Sequence, residues 1–249
     1  MKKWIACRAC IEESFPGYKK QMLDGREVLY ECDCHKTWRE ARDIELLLKE
    51  ASLSYSDFML YYHPDKDYIG NKEIAKKVSN LVSSFIKEEI SHIAYFYGKQ
   101  GTQKTTVAQW VGSQLVRAGK HVFYISMQKF LEETIGFDDK KVLRKSFFET
   151  VPVLIIDDSF SISRVSLFKN SNYQLAPLNI FFRERLSSNK PLHTIIVSDT
   201  EIKDLKLSGF GKDIEQLLFS RSSVLTFPDE YNKIISSFDP KKDIFGGDA

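Results

Sequence analysis

Between Tyr95 and Trp110 the chain reads YFYGKQGTQKTTVAQW. The segment begins inside an apolar run, Ile93 to Tyr97 (IAYFY), with the aromatic character of a buried strand. A loop with two glycines, Gly98 and Gly101, follows at once. Beyond it Val107, Val111 and Leu115 form one stripe of a helix, and Gly119 stands where a helix C-cap belongs. Strand, glycine loop and helix in this order is a narrow constraint, because the N–H groups that open a helix have no partners within it.

Such a loop suits phosphate. The usual pattern is G-x-x-x-x-G-K-[ST], and Gly98, Lys104 and Thr105 fall in register with it. The two glycines permit tight curvature, and the backbone through Thr102, Gln103 and on to Thr106 lines the cradle. Lys104 is expected to reach the β and γ phosphates of ATP, and the Thr105 hydroxyl to ligate Mg²⁺. Gln103 occupies a position where glycine is usual. A left-handed backbone there costs a side chain about 1–2 kcal/mol, which weakens a site without abolishing it. A helical backbone costs almost nothing and turns the side chain to solvent.

A second motif lies about 50 residues on. Val153-Leu154-Ile155-Ile156-Asp157-Asp158 is an apolar strand ending in two carboxylates. The first suits Mg²⁺, often through water, and the second suits orientation of an attacking water. A further strand and helix, His121–Ser126 and Met127–Ile135, stand between the two motifs. Later apolar runs at His193–Val197 and Ser223–Phe227 read as two more strands. Alternating strands and helices predict an α/β fold with a mainly parallel sheet flanked by helices, and nucleotide at the carboxyl ends of its strands.

All four cysteines precede this core. Cys7 and Cys10 form a C-x-x-C, and Cys32 and Cys34 a C-x-C. Between them lie the turn signals Pro16-Gly17 and Asp24-Gly25 and a short strand, EVLYE. Four thiolates on two such pairs predict a closed tetrahedral zinc site, a ribbon whose metal replaces a missing core. Two disulfides or four unrelated thiols are the alternatives, and His35 is an alternative ligand to Cys34. No apolar run approaches the roughly 20 residues that span a bilayer, and MKKWIACRAC lacks the apolar stretch of a signal peptide. The chain reads as cytoplasmic, where thiols stay reduced.

The expected organisation is a ribbon domain over residues 1–50, a linker over 51–70 and an ATPase domain over 71–249. Lys36–Ala51 reads as a helix packed on the ribbon, with Ile44, Leu47, Leu48 and Ala51 on one face. Residues 72–89 read as an amphipathic helix opening the core. A net charge of +2 indicates no global attraction to nucleic acid.

Cysteine ribbon, GKQGTQKTT, LIIDD, TIIVSD and LLFSRSSVLTF occur in that order. The chain thereby resembles the bacterial and phage helicase loaders of the DnaC/DnaI type, which are AAA+ ATPases related to the transposition ATPase IstB. The resemblance implies docking on a hexameric replicative helicase through the amino-terminal domain. It also implies binding of ATP and single-stranded DNA by the core, and self-association in a ring or spiral. Asp199 matches the residue that senses the γ-phosphate, although the family usually has asparagine there. Arg221 matches the arginine finger that reaches a neighbouring subunit, with Arg185 as the alternative. For DNA, Lys140, Lys141, Arg144 and Lys145 offer a basic cluster, and Tyr124, Met127 and Lys129 lie near the extra helix that loaders use.

Rival readings are an IstB-like transposition ATPase and a protein adaptor with a degenerate loop that does not hydrolyse ATP. A nucleotide kinase ranks below both, because no acceptor-site signature or arginine-rich lid is present.

Overall fold

The computed structural model describes residues 7–8, 17–53, 72–87, 91–134, 138–160, 175–205 and 211–229. The chain divides into two compact units, Met1–Glu50 and Ala51–Ala249.

In the first unit, β1 (Tyr18–Leu23) and β2 (Arg26–Glu31) form an antiparallel hairpin. Its turn is Asp24-Gly25, both at positive φ (51° and 76°), the conformation that matches the twist of two strands. The helix α1 (Asp33–Glu50) follows at once. It starts ahead of the expected Lys36, so Cys34 lies in its first turn. Gly17 sits at φ +92°, and a Cβ there would meet the His35 ring at 3.1 Å. The described apolar side chains buried here are Cys32 and Leu48, whereas Tyr18, Met22, Leu23, Val28, Leu29, Tyr30, Leu46 and Leu47 are exposed. Of the expected face of α1, Leu48 is buried and Leu47 is not.

The second unit is a three-layer α/β domain. Its elements are α2 (Lys72–Lys87), β3 (His92–Gly98), α3 (Lys104–Arg117), β4 (Val122–Ser126), α4 (Met127–Thr134) and α5 (Asp139–Thr150). They continue with β5 (Val153–Ser159), α6 (Leu175–Leu186), β6 (His193–Ser198), α7 (Gly211–Arg221) and β7 (Ser222–Phe227). The strands form one sheet in the order β4-β5-β6-β3-β7, and every pairing is parallel. Strands covered on both faces must be apolar throughout, and Val153 to Ile156 are each 0% exposed. On one face Phe123, Phe130, Phe148, Phe181 and Phe182 build an aromatic core. On the other α3 rides close, because a Cβ on Gly112 would lie 2.8 Å from Ile155 Cδ1.

Ala51 and Leu53, at the start of the expected linker, are buried in this unit. The Tyr124 N–H donates to the Ala51 carbonyl at 2.8 Å, which covers part of the β4 edge. Residues 54–71 lie outside the described residues.

His193 opens β6 with its ring stacked on Phe85 at 4.4 Å. The residue is 2% exposed, and among the described residues neither ring nitrogen has a hydrogen-bond partner. Burial, with Lys120, His92 and Arg185 nearby, pushes its pKa down to about 4. The unfolded chain therefore binds this proton first, near the ordinary value of about 6.5. The neutral ring's contribution is complete above that pH and is lost as pH falls toward 4. Between pH 7 and pH 5 the parent should lose about 2 kcal/mol more stability than a His193→Leu variant, read from urea melts.

Candidate nucleotide site

The site forms at the carboxyl ends of β3, β5 and β6. At Gly98 the chain leaves β3 against β7, and a Cβ would fall 2.5 Å from the Phe227 carbonyl oxygen. Only glycine fits that backbone contact. Gly101 takes φ 84° and Gln103 takes φ 65°, ψ 14°. Of the two conformations open to Gln103 the left-handed one is present, and its carbonyl then accepts the first helical bond from Val107 N at 2.9 Å.

Lys104 is 8% exposed, and its Nζ donates to the carbonyls of Gly98 and Lys99, both at 2.6 Å. Thr102 Oγ1 donates to the same Lys99 carbonyl at 2.9 Å. Burial lowers the Lys104 pKa against the opposing pull of Asp199, Asp157 and Asp158. One ammonium thus stands among three carboxylates. The surplus of negative charge suits a divalent cation, and the ammonium suits phosphate.

Asp157 ends the buried part of β5 and is 7% exposed. Its Oδ1 accepts from Thr105 Oγ1 at 3.3 Å and from the Asp158 N–H at 2.7 Å, and its Oδ2 accepts from the Tyr124 hydroxyl. Burial, reinforced by Asp157, raises the Tyr124 pKa, so the hydroxyl is a donor at neutral pH. Asp158 and Phe160 both take left-handed backbones, φ 54° and 59°. Between Ile156 and Ser159 the register of β5 against β6 shifts by a bulge. The strain is held from β6 and β3. Ser198 Oγ donates to the Ser159 carbonyl at 2.6 Å, Thr200 Oγ1 to the Phe160 carbonyl at 2.7 Å, and Tyr95 OH to the Thr200 carbonyl at 2.7 Å. A bulge of this kind re-aims side chains, here the two aspartates. Asp199 is exposed beside them, and its Oδ1 accepts from Thr200 Oγ1 at 3.3 Å.

Sequence reasoning missed Ser198, Thr200 and the role of Tyr95, because a hydroxyl on a strand carries no motif. Tyr124 was expected toward DNA; its hydroxyl instead meets Asp157. Met127, expected in the same place, is 2% exposed in the aromatic core, because it begins α4 directly behind β4. Lys129 is exposed and lies 3.7 Å from Glu133. In the basic cluster, Arg144 pairs with Glu133 at 2.6 Å beneath Phe123, Phe147 and Phe148, and Lys145 pairs with Glu149 at 3.1 Å. Those two cations serve the fold, and Lys140 and Lys141 stand at the start of α5.

Arg185 cannot act on a neighbour. It is 1% exposed, and its guanidinium donates to Thr194 Oγ1 and to the carbonyls of Phe148, Val151 and His193. Arg221 is exposed at the end of α7 and lines an open cleft of about 550 Å³ with Arg183 and Asp213. The register pairs Ser222 with Ile93 and Phe227 with Gly98. Arg221 is therefore at the amino edge of the sheet, about 17 Å of strand away from the glycine loop of its own chain.

In the first unit the sulfur atoms of Cys7, Cys32 and Cys34 lie within 4.8 Å of one another, and none of the three is in a disulfide. Cys10 lies outside the described residues. His35 directs Nδ1 to Glu31 at 2.7 Å and stands apart from this group. Three converging sulfurs fit a zinc ion with one further ligand.

This is the nucleotide-site geometry of a P-loop domain. The family model of the IstB-like ATP binding proteins matches residues 19–162, more than half of the chain, and the chain belongs to that family. No curated protein matches it. Among solved structures, a replication initiator DnaA bound to AMPPCP and single-stranded DNA superposes with TM-score 0.55 at 16% identity, over 70% of this chain and 50% of that one. The DnaC helicase loader gives TM-score 0.52 at 16% identity, covering 69% of this chain and 99% of that one. DnaI gives 0.50 at 15% identity, covering 70% and 95%. At these identities the likeness is one of fold. The chain spans half the length of that DnaA.

Replacing Gln103 by glycine removes a left-handed penalty of about 1–2 kcal/mol and adds unfolded-chain entropy worth roughly 0.5–1 kcal/mol. Gln103→Gly should therefore stabilise the protein by about 0.5–1 kcal/mol in urea melts. A loss of stability would show that contacts of the glutamine side chain outweigh the strain.

Proposed function

We propose that this chain is an ATP-dependent loader of a hexameric replicative helicase, acting with single-stranded DNA during replication initiation. The observation that carries the ATPase part is the meeting of Lys104, Thr105, Asp157, Asp158 and Asp199 at one sheet edge. Lys104 exchanges the loop carbonyls for the β and γ phosphates. The loop N–H groups from Gly98 and Gly101 through Thr102, Gln103 and Thr106 line the phosphate cradle. Thr105 and Asp157 would hold Mg²⁺, which when bound neutralises charge on the phosphate oxygens. Asp158, turned out of the strand by its left-handed backbone, orients the attacking water. Asp199 reads the γ-phosphate position. Arg221 acts on the site of an adjacent copy, a reading supported by its exposure at the far edge of its own sheet.

Family membership and a core shaped like those of the loaders support the loading role. The cysteine unit supports it further. Few apolar side chains are buried among its described residues, which suits a fold stabilised by metal, and its exposed hairpin side chains suit contact with another protein. Cys7, Cys10, Cys32 and Cys34 would hold the zinc. The IstB-like transposition ATPase rests on the family match. The non-hydrolysing adaptor rests on Gln103 and Asp199.

Co-purification with the host replicative helicase, with and without ATP, tests the loading role, and absence of a complex under both conditions would refute it. Lys104→Ala should abolish ATP binding, while Asp158→Asn should keep binding and lower hydrolysis by about 100-fold or more. A Lys104→Ala protein that loads helicase as well as the parent would establish the adaptor instead. Zinc analysis of the full chain should return about one equivalent, and less than half would exclude the ribbon. Removing residues 1–50 should end helicase binding and leave the core folded.

A further inference from the structure

Asp157 is held by more than the two motifs that define the site. On α3, Thr105 and Gln109 stand one turn apart and so share a face. Beneath them, β4 pairs with β5 with Tyr124 opposite Ile155 and Ser126 opposite Asp157. Tyr124 is thus two residues back along the adjacent strand, on the face that α3 covers, and its hydroxyl reaches diagonally to Asp157 Oδ2. Gln109 lies close enough to influence the same hydroxyl. Thr105 engages the other oxygen, Oδ1, at 3.3 Å. The result is a run of bonded side chains, Thr105, Asp157 and Tyr124, with Gln109 beside its end.

We propose that Tyr124 is a positioning residue for Asp157: by occupying Oδ2 it turns Oδ1 toward Thr105, where the metal of a bound Mg²⁺–nucleotide would lie. An aspartate's terminal torsion is broad and roughly two-fold. A fixed donor on one oxygen removes that freedom and settles which oxygen faces the metal, much as outer partners orient the ligands of other metal sites. The inference rests on the nucleotide-site reading above, and neither motif contains Tyr124 or Gln109.

The test is a Mg²⁺ titration of binding of a fluorescent ATP analogue to the full chain, with hydrolysis measured in parallel. Tyr124→Phe keeps the ring and removes the donor. It should lower the melting temperature only modestly, as loss of one donor to a buried carboxylate does, and leave the Mg²⁺-free nucleotide affinity unchanged. The Mg²⁺ concentration for half-maximal binding should rise about 10-fold, the lower end of what losing an outer partner costs a metal site. At saturating Mg²⁺ the hydrolysis rate should return to within about two-fold of the parent. Gln109→Leu should shift the midpoint the same way by about 2–3-fold, because it acts through Tyr124. In an Asp157→Asn background, Tyr124→Phe should add no further shift. An unchanged Mg²⁺ midpoint in Tyr124→Phe, or a full additional shift in the Asp157→Asn background, overturns the proposal while leaving the nucleotide site intact. A parent that binds no nucleotide at any Mg²⁺ concentration overturns the nucleotide-site reading, and this proposal with it.

Discussion

One buried ammonium faces three carboxylates at the carboxyl edge of the sheet, and the chemistry of the site depends on that electrostatic balance. Lys104 is pulled down by burial and held up by Asp199, Asp157 and Asp158. It meets them only because β3, β5 and β6 are adjacent and parallel, so that all their carboxyl ends arrive at one edge. In its present position the ammonium is satisfied by the loop's own carbonyls. The same donors and charges suit a polyphosphate and its metal, since a buried charge must always find a partner.

The backbone around this centre is strained in a restricted set of places. Gln103, Asp158 and Phe160 all take left-handed conformations without being glycine. Each conformation persists because neighbouring hydrogen bonds over-determine it. Ser198, Thr200 and Tyr95 hold the carbonyls that follow the aspartates, and Tyr124 holds Asp157 from the opposite side. A site braced from three strands is rigid before its ligand arrives, which favours electrostatic work over induced fit.

The amino-terminal unit follows a different logic. Among the described residues its hairpin exposes apolar side chains and buries few. Three sulfurs gathered within 4.8 Å fit the alternative, in which metal coordination replaces hydrophobic burial. Loss of the metal and loss of the fold would then be one event.

Periodicity and glycine placement in the sequence indicated the five core strands, the helices flanking the first motif, the parallel α/β class and the two motif positions, because those depend on local chemistry and on a repeat of two or 3.6 residues; the helices Asp139–Thr150, Leu175–Leu186 and Gly211–Arg221 came only with the structure. The resemblance to loader ATPases rested instead on the order of the motifs GKQGTQKTT, LIIDD, TIIVSD and LLFSRSSVLTF. Only the tertiary structure decided that Gln103 is left-handed, that Arg185 is buried on four acceptors while Arg221 faces outward, and that Tyr124 serves Asp157. Those outcomes depend on which strand lies beside which. A parallel sheet brings together side chains dozens of residues apart, and no local pattern in the chain records that adjacency.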